Sequence, residues 1–169
     1  MVRYQQYKRG GGDNVKQIRR NVFETNSSST HSICVTKNDI LDDKMNNLYF
    51  RLDEFGWEHS RLRYVGEKAS YLYTGIVCNG RMDLLKKVKK VLDKNNIEYE
   101  FEDPEEAGYF YIDHGSNLTN FLNDICNNED KLMRYLFSSE SFIITSNDNS
   151  YYNDDIDVDY EYEEYYKGN

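Results

Sequence analysis

The densest run of short polar side chains in this 169-residue chain occupies residues 26–32. Asn26, Ser27, Ser28, Ser29, Thr30, His31 and Ser32 place five hydroxyls, one amide and one imidazole in consecutive positions. Such groups are costly to bury unless each finds a hydrogen-bond partner. As a pocket loop, the run would cradle a phosphate or carboxylate with hydroxyls and backbone N–H groups, while His31 exchanges a proton near neutral pH. In that case Ser29, Thr30 and His31 are the catalytic candidates, and Arg19 and Arg20 are basic neighbours. As a serine-rich turn, the same side chains satisfy their own backbone and bind nothing. A second polar cluster, Ser146, Asn147, Asp148, Asn149 and Ser150, follows the apolar run SFIIT. If that run lies beside HSICV with the ends aligned, both clusters share a rim and Asn147 and Asp148 join the candidate ligand set.

The remaining chemistry-bearing residues form no recognisable catalytic or metal pattern. Asp148 between two asparagines lacks the longer ligand series, glycine and closing glutamate of an EF-hand. Cys34, Cys78 and Cys126 are widely spaced, with no CxxC pair, so zinc and a disulfide framework are both disfavoured and all three are expected to be buried apolar residues. His114-Gly115-Ser116 has the spacing of half of a paired His-x-Ser phosphoesterase motif, but no second copy exists. There is no GxSxG elbow, no GxGxxG and no Walker loop. No metal and no cofactor is expected.

Charge narrows the partners. The net charge is −9, and residues 151–169 hold seven carboxylates against Lys167 alone, so this stretch carries −6 of it. General nucleic-acid binding draws on Lys and Arg and is therefore disfavoured. The acidic stretch, with Asp154, Asp155, Asp157, Asp159, Glu161, Glu163 and Glu164 interleaved with tyrosines such as Tyr160 and Tyr162, reads either as a solvated tail or as a nucleic-acid mimic. In the second case carboxylates stand for phosphates and tyrosines for bases in a partner's basic groove.

The elements that must position these groups are legible by period. Residues 81–95 carry Met82, Leu84, Leu85, Val88, Val91 and Leu92 at helical spacing with lysines opposite, the clearest helix in the chain. A weaker helix covers EKASYLYTGIVC, where Gly75 lowers propensity. Ser116-Asn117 is expected to cap a helix through LTNFLNDICN, and another follows in EDKLMRYLF. Strands are expected at HSICV, NLYFRLDEF, IEYEF, YFYI and SFIIT, with a strand or short turn at VKQIRRNVF. DEFGWEHS reads as a tight aromatic turn, either a recognition edge presenting Phe55 and Trp57 or, as expected, a turn whose Trp57 folds toward the core. The order of elements points to an α+β fold: a mixed or antiparallel sheet of about five strands packed with about four helices. Residues 1–15 read as a flexible leader, 16–150 as a single domain and 151–169 as the acidic tail. No run approaches the length of a membrane span, and no apolar core of a secretory signal is present, so the expected compartment is the cytoplasm.

The words RRNVFETNSSSTHSI, FGWE, KASYLYT and SFIITSNDN resemble a family of uncharacterised proteins carried by bacteriophages and mobile elements of Gram-positive bacteria. The likeness covers about residues 16–149 and excludes the acidic tail. It implies phage origin and a bacterial host cytoplasm, and no particular reaction. Phage accessory proteins of this size often bind and block host machinery. The expectation is therefore an inhibitor of a host nucleic-acid-handling or defence protein, anti-CRISPR-like or otherwise counter-defensive, and more a binder than an enzyme. The alternative is a small enzyme or a nucleotide- or phosphate-ligand binder using residues 26–32.

Overall fold

The apolar stripe that begins at Met82 becomes α2, Met82–Lys94, with Leu84, Leu85, Val88 and Leu92 buried. The computed structural model describes residues 5–7, 16–18, 29–39, 41, 47–56, 59–147 and 162–168. Its strands are β1 (Gln5–Tyr7), β2 (Lys16–Ile18), β3 (Ser29–Thr36), β4 (Asn47–Phe50), β5 (Glu54–Phe55) and β6 (Ser60–Leu62), followed by β7 (Glu98–Phe101), β8 (Tyr111–Ile112), β9 (Phe142–Asn147) and β10 (Tyr162–Gly168). The other helices are α1 (Val65–Cys78), α3 (Thr119–Asn127) and α4 (Glu129–Phe137). The fold class is α+β, as the order of elements implied. The strands do not make one sheet, however. They divide into a four-stranded antiparallel sheet, β10-β3-β9-β6, and three two-stranded pairs, β1-β2, β4-β7 and β5-β8. The last two pairs are parallel.

Helix α1 is the axis of the core. Ten of its residues, from Val65 to Ile76, are buried, so more than one face of the helix is enclosed. Gly75 lies inside the helix and does not end it. A Cβ there would sit 3.3 Å from Leu122 Cδ2 and 3.5 Å from Ile112 Cδ1, and the gain in close packing offsets the lower propensity. Because α1 is surrounded, its polar side chains serve its neighbours. Buried Lys68 donates from Nζ to the carbonyls of Ser138 and Ser141, at 2.6 and 3.1 Å. The Ser138 carbonyl lies at the C-terminus of α4, where a positive charge is favoured. Ser70 Oγ and Thr74 Oγ1 accept the N–H groups of Arg51 and Asp53, and Glu102 Oε2 accepts that of Leu52. Those three residues lie between β4 and β5, and side chains there do the work of a neighbouring strand.

Several local expectations are corrected. Ser116 and Asn117 fall within a 3₁₀ turn, Gly115–Leu118, and α3 starts only at Thr119; a side-chain cap is used instead at α4, where Asn128 accepts from Lys131 N–H. Cys34 and Cys126 are buried, but Cys78 is exposed at the end of α1. Gln5–Tyr7, in the stretch read as a leader, pairs with β2. The stretch read as a tail contributes β10, antiparallel to β3. Tyr166 of β10 packs its ring against Phe121 and donates from its hydroxyl to Asp124 Oδ2 at 3.2 Å. Trp57, expected in the core, lies outside the described residues.

Candidate functional site

Ser29, Thr30 and His31 are not in a loop: they form the first half of β3, two residues earlier than the strand expected from HSICV. Register brings Ser29 opposite Asn147 and Thr30 opposite Ser146, so the starts and ends of the two polar clusters do meet across β3 and β9. Asn26, Ser27, Ser28, Arg19, Arg20 and Asp148 lie outside the described residues, as do Asp154, Asp155, Asp157, Asp159, Tyr160 and Glu161. Tyr162, Glu163 and Glu164 lie in β10, where the pairing with β3 shifts between Tyr162 and Glu164.

His31 has the most constrained geometry of the set. Its ring is 1% exposed. Nε2 lies 2.6 Å from the Asp113 carbonyl and Nδ1 lies 3.0 Å from the Tyr71 hydroxyl. A carbonyl only accepts, so Nε2 carries the proton and Nδ1 accepts from Tyr71. Burial lowers the imidazole pKa, opposed by the bond to the Asp113 carbonyl and by the charge of Asp113, and the ring is neutral. Burial also raises the Tyr71 pKa, which keeps the phenol protonated as a donor. The partners lie 40 and 82 positions away in sequence. One belongs to α1 and the other follows β8, so His31 ties the four-stranded sheet to the central helix and to the β5-β8 pair.

Gly56 closes the far side of the ring. Its φ is +106°, and a Cβ built on it would lie 2.7 Å from His31 Cε1 and 3.0 Å from Asp113 Cβ. Both constraints demand glycine. Gly56, which belongs to the turn expected in DEFGWEHS, therefore covers the histidine. The geometry assigns the imidazole a structural task, since both nitrogens are engaged and the ring is covered.

A cleft of about 860 Å³ opens beside this assembly, within the ~300–1,000 Å³ range of ligand sites. Its described lining comes from elements that the polar motifs did not mark: Asn47 and Tyr49 from β4 with Arg51 just after it, Glu54 and Phe55 from β5, Ser60 and Leu62 from β6, and Gly66, Glu67 and Ser70 from α1. Gly56 and Thr145 complete the wall nearest His31. Carboxylates outnumber basic groups, with Asp53, Glu54, Glu67 and Glu100 against Arg51. Sequence reading missed this site because its residues are scattered in short strands. The one local signal was the alternation in NLYFRLDEF, which exposes Tyr49 between buried Leu48 and Phe50.

The second face of the four-stranded sheet carries a smaller apolar cluster of Cys34, Phe142 and Ile144. The Arg61 guanidinium sits 4.2 Å above the Phe142 ring, a cation–π contact. Burial pushes the Cys34 thiol up to about 11 and the Cys126 thiol up to about 12, which removes both as nucleophiles near neutral pH. Among the described residues no group of His, Cys, Asp and Glu is arranged to hold a metal ion, and no helix is long and apolar enough to cross a membrane. Comparison with protein-family models, curated proteins and solved structures gave no match to this chain.

Proposed function

We propose that this chain is a binding protein that occupies the basic groove of a nucleic-acid-handling or defence protein and inhibits it, presenting carboxylates and tyrosines where nucleic acid would lie. The supporting observation is how the acidic run is tethered. Asn147, at the end of β9, pairs with Ser29, whereas Tyr162, at the start of β10, pairs with Thr36. The two anchor points thus flank β3 on opposite sides and near opposite ends, about 23 Å apart along the strand at ~3.3 Å per residue. Residues 148–161, which include Asp154, Asp155, Asp157, Asp159 and Glu161, join them. A segment held at both ends has less freedom to lose on binding than a free tail, which favours affinity.

The phage and counter-defence setting, anti-CRISPR-like in kind and placed in the cytoplasm of a bacterial host, comes from the sequence resemblance. The rival reading, catalysis or phosphate binding by residues 26–32, is weakened at its main catalytic candidate because His31 is engaged internally on both nitrogens.

The test begins with a pull-down from phage-infected host lysate and moves to competition with the captured protein. The chain should release a fluorescent oligonucleotide from that protein, and increasingly so at low salt. Replacing Asp154, Asp155, Asp157 and Asp159 by Asn and Glu161 by Gln should weaken release by at least tenfold. Undiminished release by the neutralised variant would sink the mimicry. Neutralisation is the sound perturbation here, because deleting residues 151–169 would also remove β10 and uncover β3.

A further inference from the structure

Residues of two strands, β4 and β6, line the cleft. Among the described residues β4 pairs with β7 alone and β6 with β9 alone, so each has one edge that no described strand pairs. Backbone direction on the β4 side is fixed by two hydrogen bonds. The Phe50 carbonyl accepts from Glu102 N–H on the β7 side, while Arg51 N–H donates to Ser70 Oγ on the other. Backbone groups alternate along a strand, so Tyr49 turns its N–H and C=O away from β7 and into the cleft. Parallel strands are normally covered, and an unpaired edge is a template for another strand. The floor below is α1 with the small residues Gly66 and Ser70. At the rim, Asp53, Glu54 and Glu100 are exposed beside the single base Arg51.

We infer that the cleft is a strand-acceptor site: an extended segment of a partner protein, rich in Lys or Arg, inserts between β4 and β6 and pairs with the cleft-facing backbone of Tyr49. It completes a continuous sheet in the order β10-β3-β9-β6-segment-β4-β7. Main-chain hydrogen bonds supply affinity, and the acidic rim selects basic side chains. Its described lining holds none of residues 148–168, and it does not rest on the mimicry: there the chain enters a groove of its partner, here a partner strand enters the chain.

The test uses the full chain labelled with ¹⁵N and a blocked hexapeptide of alternating Lys and Val. Amide signals of Tyr49 and residues 60–62 should shift saturably and their hydrogen exchange should slow. The same peptide N-methylated at alternate residues keeps the charge but loses backbone donors, and it should bind at least tenfold more weakly. Gly66→Phe fills the floor where a Cβ meets nothing within 4 Å. It also replaces a helical glycine, so Tm should hold or rise while binding is lost. Absence of saturable shifts at β4 and β6 overturns the proposal. So does equal binding by the methylated peptide or spermine, or undiminished binding by the Gly66→Phe protein.

Discussion

The surroundings of His31 and the cleft on the other side of Gly56 are both rich in polar groups, yet they differ in how those groups are spent. Around His31 each ring nitrogen has a partner within 3.0 Å, and Gly56 covers the ring. Around the cleft, Tyr49 directs backbone toward the opening, and carboxylates of Glu54 and Glu100 stand at the surface. The contrast teaches that density of hydrogen-bonding residues does not locate a binding site. A polar group that is buried must be satisfied, and satisfaction consumes the capacity a ligand would use. Ligand capacity remains where, among the described residues, strand edges stay unpaired.

The largest expected effect is at the saturated site. His31→Ala removes the imidazole bonded to the buried Tyr71 hydroxyl and to the Asp113 carbonyl and opens a cavity, at a cost of about 2–4 kcal/mol, readable as a lower midpoint in urea denaturation. Oligonucleotide release and peptide binding should persist under conditions where the variant stays folded. Loss of function with an unchanged urea midpoint would reverse the comparison and return the imidazole to chemistry.

A smaller effect follows from protonation. The folded pKa of His31 lies below its unfolded value near 6.5, so the unfolded chain binds the proton more readily. The contribution of His31 is therefore complete above about pH 6.5 and is lost as pH falls toward the folded pKa. Asp113 and His114 are the charged neighbours that modulate it, the first raising and the second lowering that pKa. Urea midpoints should drop between pH 7 and pH 5, and His31→Gln should flatten that drop. An equally steep drop in the variant would assign the pH dependence to other groups. The smallest effect should come from the cleft: Glu100→Gln, at an exposed position of β7, should move stability by no more than about 0.5 kcal/mol while weakening the Lys-Val peptide severalfold. A stability loss comparable to that of His31→Ala would mean that the rim holds the fold together as the histidine does.

Much of the local structure was legible. The stripe from Met82 to Leu92, the alternation of Ile33 and Val35 and the run Phe142–Asn147 each produced the element their period implies. Gly75 was misleading because propensity is a local quantity and its reason is contact with Leu122 and Ile112. Lys68 carried a faint signal, a base in the first turn of a helix buried nearly all round. Its purpose depends on carbonyls 70 and 73 positions away. β10 was obscured by its carboxylates, which match a solvated tail in composition while Tyr166 docks on Phe121.

By itself the sequence determined the α+β class, the main helices and strands, the concentration of negative charge in residues 151–169 and the concentration of hydrogen-bonding groups in residues 26–32. These depend on period and composition, which are local. The tertiary structure alone decided that His31 is locked between Tyr71 and Asp113, that β10 and β9 flank β3, and that residues of β4 and β6 line one cleft. Each of these is a pairing between distant segments, and its energy exists only once the chain has closed the loops between them.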